Sequence, residues 1–471
     1  MASSTPVTKH LGKTLAVWTP EDKAFWQQQG KAIATINLWI SVPSLFLAFA
    51  VWQLWSAVAV NLPVLGFKFT PNELFWLAAA PGLSGATLRI FYSFMVPVFG
   101  GRRWTAISTA SLLIPAIGIG IAVQDPKTSY ATLLTLALLC GFGGGNFASS
   151  MANINFFFPK ERKGSALGVN AGLGNLGVSG VQFLAPLVVA AGVYGPLAGG
   201  PQTIVRASGE TAQIWAQNAA FVWVPFILIF TIAAWIGMND IADAKASVRE
   251  QAVIFRRKHN WLMCWLYLGT FGSFIGYAAG FPLLIKSQFP GVNALQYAWV
   301  GPLVGAAVRP FGGWLADKLS GARVTFWNFV VMTLAVAGVL WFLPTGGAGG
   351  GFAGFFACFM VLFLTTGIGN GSTFRMIPVI FLTERMRDAA GKGAAEEEQA
   401  VKDANKEAAA VLGFTSAFAA YGAFFIPKSY GTSIALTGGP QAALYLFIVF
   451  YLTCIAVTWW YYSRKGAEMP C

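Results

Sequence analysis

Leu83-Ser84-Gly85-Ala86-Thr87-Leu88-Arg89-Ile90-Phe91-Tyr92-Ser93-Phe94-Met95 sets an arginine near the middle of a long apolar run. A guanidinium at the centre of a bilayer costs a few kcal/mol or more, and it does not escape by losing its proton. Arg89 therefore calls for a water-filled cavity, a partner or an anionic ligand. The second half of the chain repeats the situation at Arg309, inside Val300-Gly301-Pro302-Leu303-Val304-Gly305-Ala306-Ala307-Val308-Arg309-Pro310-Phe311-Gly312-Gly313. Two arginines in matching helices of two half-repeats point to one central site for a small anion.

The surroundings of these runs decide the class. The chain has 471 residues, 56% hydrophobic and only 10% charged, with a mean hydropathy of +0.61. A soluble protein so apolar has no way to cover its surface, so the chain reads as a polytopic membrane protein. Apolar runs long enough to span lie near 37–62, 74–97, 104–124, 130–157, 165–193 and 213–238, then near 260–286, 293–316, 323–344, 351–381, 408–427 and 438–463. The expected fold is all-α: twelve transmembrane helices in two pseudo-symmetric six-helix bundles. The expected organisation is an N-terminal segment 1–36, a bundle 37–238, a linker 239–259, a bundle 260–463 and a tail 464–471. The Glu396-Glu397-Glu398 stretch within 383–407 reads as a solvated loop or short helix. Residues 1–36 do not read as a signal peptide; Trp18, Phe25 and Trp26 are candidates for the membrane interface.

Charge gives orientation. Of the 31 Lys and Arg, five (Lys68, Lys127, Arg206, Lys286 and Lys428) fall in the odd-numbered loops, and three (Arg89, Arg309 and Arg375) fall inside spans. The other 23 lie in the even-numbered loops and the two terminal segments, which places both termini in the cytoplasm. The net charge of +13 is thus an orientation signal, and no nucleic-acid partner is needed to explain it.

All 18 Asp and Glu fall in loops, tails or span ends. Proton-moving carriers commonly relay through a buried carboxylate or histidine. Here the membrane-buried charges are arginines, which suits an anionic substrate. Five scattered cysteines and two distant histidines, His10 and His259, offer no metal cluster, and no nucleophile–base pair or cofactor motif is present. Neither a cofactor, a metal nor an enzymatic activity is expected. An internal repeat is visible as well. Gly100-Gly101-Arg102-Arg103 ends the second span and Gly312-Gly313 to Arg323 the eighth, while Gly141-Phe142-Gly143-Gly144-Gly145-Asn146 is echoed by Gly367-Ile368-Gly369-Asn370-Gly371-Ser372.

These residues carry a resemblance. The loop Gly313-x3-Asp317-Lys318-x2-Gly321-x-Arg323 resembles the signature of the major facilitator superfamily, and the Arg102-Arg103 loop is a degenerate copy lacking the acid. Gly164 to Gly177, Cys140 to Pro159 and Gly413 to Pro427 resemble the NarK-type nitrate/nitrite porters of bacteria, and the likeness extends over nearly the whole chain. It implies a nitrate or nitrite site between the halves. Arg89 and Arg309 would clamp the anion, Phe147, Tyr267 and Phe271 would wall it, and Asn175 would hydrogen-bond it. Asn170 and Arg375 are further candidates. Gly164, Gly168, Gly172, Gly174 and Gly177, with Gly413 and Gly422, would mark the signature helices. Ala171, Ala419 and Ala423 stand where the family leads one to expect glycine, and Arg375 where it leads one to expect glutamine.

The chemistry is coherent. Nitrate and nitrite are planar monoanions, and an arginine fork offers planar paired donors that match their oxygens better than an ammonium does. Aromatic faces exclude water. Read alone, the Gly164 to Gly177 series first suggests close helix packing. Two empty arginines in one closed cavity repel, so reorientation would favour the loaded carrier. The expected function is nitrate/nitrite antiport by rocker-switch alternating access in the bacterial inner membrane, serving nitrate assimilation; the resemblance implies a monomer in the lipid bilayer. A nitrate/proton symporter, a phosphate or other anion carrier, and an anion sensor are the alternatives.

Overall fold

The computed structural model describes residues 11–205, 209–242, 252–344 and 350–471. His10, Arg206, residues 243–251 of the expected linker and 346–349 of an expected external loop lie outside this range. Eleven helices among the described residues are long and apolar enough to cross a membrane. They are α1 (Lys23–Trp52), α2 (Pro71–Tyr92), α3 (Gly101–Ala122), α4 (Tyr130–Phe157), α5 (Lys160–Val189), α6 (Asn218–Gly237), α7 (Lys258–Gln288), α9 (Gly321–Phe342), α10 (Phe352–Ala389), α11 (Ala394–Thr437) and α12 (Gln441–Ser463). Between α7 and α9 lies α8 (Val300–Leu319), which carries Arg309, Asp317 and Lys318 and is the more polar for it. The chain forms two compact units, Met1–Ala246 with Asn293–Trp299, and Ser247–Val292 with Val300–Cys471.

In the first unit, α2 starts where its sequence says it should. Thr70 Oγ1 accepts the Glu73 N–H, the Glu73 carboxylate accepts the Thr70 N–H, and Pro71 opens the first turn. Farther along, α2 meets α4 through glycines: a Cβ on Gly144 would lie 2.7 Å from the Gly85 Cα. Small residues let membrane helices approach this closely, because lipid supplies no hydrophobic drive and van der Waals contact must.

The glycines of α5 divide into two sets. A Cβ on Gly177 would sit 2.1 Å from the Phe46 carbonyl oxygen, and one on Gly174 would sit 2.6 Å from Leu45. One on Gly164, Gly168 or Gly172 would meet no described atom within 4 Å. Close packing therefore belongs to Gly174 and Gly177. The Gly164 stripe lies on another face because residues four apart drift only slowly around a helix.

Trp18 and Trp26 pack within the protein. Trp26 is buried in a cluster with Leu15, Ile33, Phe157 and Phe158, against which Trp18 packs. Trp18 Nε1 also donates to the Phe156 carbonyl at 3.0 Å. Phe157 and Phe158 at the α4–α5 turn supply ring contacts to these side chains. Nearby, β1 (Thr14–Leu15) pairs in parallel with a strand at Asp240–Ile241, just past α6.

In the second unit, α7 is interrupted by a π-helical turn at Leu268–Gly272. That turn lets α7 and α11 touch backbone to backbone: a Cβ on Gly422 would lie 2.2 Å from the Gly272 carbonyl oxygen, whereas Gly413 faces nothing within 4 Å among the described residues. The expected polar break 383–407 is almost entirely helical. α10 continues to Ala389 and α11 begins at Ala394. Alanine, glutamate and lysine dominate Ala394–Ala410 and are strong helix formers. Glu407 is buried there, accepting from Arg385 and Arg257, and Arg257 also reaches Glu384 at 3.3 Å.

Candidate functional site

Each unit carries one membrane-embedded arginine set against aromatic rings. In the first, Arg89 on α2 is fully buried. Its Nε donates to the Gly144 carbonyl of α4 at 2.9 Å. Its guanidinium carbon lies 4.8 Å from the Phe147 ring centroid and 5.1 Å from that of Trp52. Trp52 is itself fixed, since its Nε1 donates to the Pro81 carbonyl at 2.7 Å. The close Gly85–Gly144 contact brings a backbone oxygen within reach of the guanidinium, and the rings give its cation a favourable face.

Asn175 and Asn170 are both buried on α5. The Asn175 Oδ1 has no hydrogen-bond partner among the described residues. Asn170 Nδ2 donates to Ser150 Oγ at 2.8 Å, and Ser150 pairs with Ser41, so Asn170 ties α5 to α4 and α1.

In the second unit, Arg309 on α8 is half-buried, its guanidinium 5.3 Å from the Phe374 ring centroid. Its buried Nη1 has no hydrogen-bond partner among the described residues. Tyr267 and Phe271 flank the π turn of α7 and stack 5.6 Å apart with their planes 16° from parallel. The Tyr267 hydroxyl donates to Asn370 Oδ1 at 2.8 Å, which fixes the wall against α10. Arg375 is exposed and pairs with Asp317 in the last turn of α8, outside this aromatic group.

The first unit thus gathers Arg89 and Phe147, and the second gathers Tyr267 and Phe271 around Asn370. Trp52, Phe374 and the Asn370 acceptor were not among the residues the sequence nominated. Asn370 stood in the Gly367 to Ser372 echo of Gly141 to Asn146, and Phe374 lies one helical turn beyond it on the same face. Trp52 had no local signal, because only helix packing brings it to Arg89. A buried guanidinium on aromatic faces, with donors not all engaged, is suited to a small weakly hydrated anion.

Comparison with known proteins agrees with this chemistry. The Major Facilitator Superfamily profile matches residues 44–394. The nitrate/nitrite transporter NarU of Salmonella typhimurium is 53% identical over 451 residues, covering 96% of each chain. NarU of Escherichia coli is also 53% identical, covering 95% of this chain and 96% of its own. A Thermus thermophilus protein named as probable nitrate/nitrite antiporter NarK2 is 41% identical over 98% of this chain and 99% of its own. Among solved structures, a bacterial homologue of the human lysosomal transporter Spinster, inward-facing and occupied, superposes with a TM-score of 0.60 at 14% identity, covering 89% of this chain and 95% of that one. This last likeness speaks for the fold alone. The chain therefore belongs to the major facilitator superfamily, as a multi-pass membrane transporter of the NarK-type nitrate/nitrite porter family and not an enzyme.

Proposed function

We propose that this protein exchanges nitrate for nitrite across the bacterial inner membrane by alternating access, with Arg89 and Arg309 both engaging the anion. The observation that carries the reading is the pair of arginines, each set on an aromatic face within an otherwise apolar helix environment. Near-full-length identity of 53% to two nitrate/nitrite transporters supports the substrate, and 41% identity to a protein named as a probable antiporter supports exchange.

Each half brings different chemistry to the anion. Arg89 is pre-oriented by Gly144, so little rotational freedom is lost when it binds. Arg309 has donor capacity to offer, and Tyr267, Phe271 and Phe147 wall the site with ring faces. Asn175 adds an uncharged hydrogen-bonding group. Binding of a monoanion offsets the repulsion between two guanidiniums, so the loaded carrier reorients more readily than the empty one. That preference is exchange.

The excess of Lys and Arg in even-numbered loops supports cytoplasmic termini. A monomer, a six-helix bundle at 37–238 and another at 260–463 complete the reading.

Counterflow in proteoliposomes tests it. Vesicles would be loaded with nitrite, nitrate or neither, and uptake of labelled nitrate followed. Uptake that needs an internal anion is expected. Full uptake into empty vesicles driven by a pH gradient overturns exchange in favour of proton symport.

A further inference from the structure

The two loops that follow the arginine helices differ in where their acid comes from. In the second unit the loop supplies its own: Asp317 pairs with Arg375, and both side chains are about half exposed. The Gly100-Gly101-Arg102-Arg103 loop of the first unit has no acid in its sequence. Asp240, from the strand just past α6, occupies that role. It lies 138 residues beyond Arg102 and its side chain is only 7% exposed.

Asp240 Oδ1 accepts the backbone N–H of Arg102 at 2.9 Å and that of Arg103 at 3.4 Å. Oδ2 lies 3.2 Å from Arg102 Nε and 3.6 Å from Arg103 Nε. One buried carboxylate thus caps the start of α3, where the first N–H groups have no partner within the helix and the helix dipole favours negative charge. The local sequence offers no substitute, since Gly100 has φ +87° and makes no side-chain cap. A Cβ on Gly100 would lie 2.3 Å from Asp240 Oδ1, so the close approach needs glycine twice over.

The carboxylate is in turn held from two sides. The Asp240 N–H donates to the Lys13 carbonyl at 3.2 Å, and the Ala242 N–H to that of Leu15 at 3.1 Å. The neighbouring Asn239 exchanges two hydrogen bonds with Asn37 of α1, at 2.8 and 3.0 Å. Asp240 therefore joins the start of α3, the end of α6, α1 and the N-terminal strand.

We propose that Asp240 is a positioning residue for reorientation of the carrier, supplying in trans the acid that the first loop lacks. It makes four elements of the first unit move as one body. Its carboxylate partners are Arg102 and Arg103, neither of which is among the residues proposed to engage the anion. Asp240 should therefore govern turnover and leave anion affinity alone.

The inference rests on the exchange reading above, so parental and variant proteins are measured together. Nitrite-loaded proteoliposomes give the nitrate exchange rate, and titration calorimetry in detergent gives the nitrate Kd. Asp240→Asn keeps an acceptor for the backbone N–H groups but removes the charge. Its exchange rate should fall at least fivefold with Kd within threefold of the parent, and Asp240→Glu should exchange faster than Asp240→Asn. A smaller loss, a larger change in Kd, or Asp240→Glu no better than Asp240→Asn overturns the proposal. Should Asp240→Asn fail to fold, Arg103→Gln serves, its side chain being 56% exposed; a twofold or larger fall in rate at unchanged Kd is expected, and an unchanged rate overturns. A parent that does not exchange nitrate for nitrite would sink the exchange reading itself.

Discussion

Arg89 and Arg309 occupy matching places in the two halves, yet the protein holds them differently. Arg89 is fully buried, bonded to the Gly144 carbonyl and set against both Trp52 and Phe147. Arg309 is half-buried, rests on Phe374, and keeps a buried Nη1 without a hydrogen-bond partner among the described residues. Close backbone approach is common to both halves, since a Cβ on Gly371 would lie 2.3 Å from the Arg309 carbonyl oxygen; what differs is the carbonyl that each guanidinium meets. Gly85 against Gly144 brings α2 and α4 near enough for the Gly144 carbonyl to accept a hydrogen bond from the Arg89 guanidinium. Arg89 is thus tied into the scaffold through the Gly144 carbonyl, whereas Arg309 keeps a donor uncommitted among the described residues.

The largest effect that could break this comparison is loss of each fork. Arg89→Lys should lower nitrate exchange at least a hundredfold, about 3 kcal/mol, because a lysine ammonium lacks the planar fork that faces the carbonyl with one edge and the anion with another. Arg309→Lys should cost about tenfold, close to 1.4 kcal/mol. Initial counterflow rates measure both, and equal losses would mean that pre-orientation contributes nothing.

A second experiment sharpens the cause. Gly144→Ala would push a Cβ to 2.7 Å from the Gly85 Cα, and should lower thermal stability by about 2 kcal/mol through overpacking. Gly168→Ala meets no described atom within 4 Å and should leave stability unchanged or raise it by up to about 1 kcal/mol, through helix propensity. Melting curves in detergent decide; a loss at Gly168 would restore that stripe to helix packing.

Removing a ring probes the aromatic faces. Phe374→Leu should weaken nitrate binding about fivefold, near 1 kcal/mol, since Arg309 then loses its supporting ring. Phe147→Leu should weaken it less, because Trp52 still faces Arg89. Nitrate titration measures both, and the reverse order would contradict the scaffold role of Arg89.

The smallest effect lies at the tail of the second unit. A hydrogen bond from Lys258 holds the Glu468 carboxyl below its ordinary 4.5. A depressed pKa contributes stability above the ordinary value and loses it as pH falls through the folded one. Amide protection factors at residues 464–469, corrected for the intrinsic rate, should therefore fall as pH drops below about 4.5.

Much of the fold was legible because membrane insertion is read from short-range sums of hydropathy. The spans around Arg89 and Arg309 stood out for the charge they carry. The break 383–407 read as polar because charged, alanine-rich sequence does so whether loop or helix, and the exposed Glu396-Glu397-Glu398 stretch lies on a helix. Arg375 looked like a charge stranded in a span; its pairing with Asp317 depends on the length of α10 and the position of the last turn of α8, neither of which is a local property. Trp18 and Trp26 looked interfacial for the same reason, since the buried partners Phe157 and Phe158 lie far along the chain.

The amino-acid sequence by itself determined that this is a twelve-span, duplicated carrier with two arginines where lipid would forbid them. Those properties follow from transfer energies and spacing, which each segment carries alone. Tertiary structure alone decided that Gly144 anchors Arg89, that Trp52 and Phe374 supply ring faces, and that Asp240 completes a loop 138 residues away. A backbone carbonyl has no sequence signature. Its availability depends on how closely two helices approach, and only packing fixes that distance.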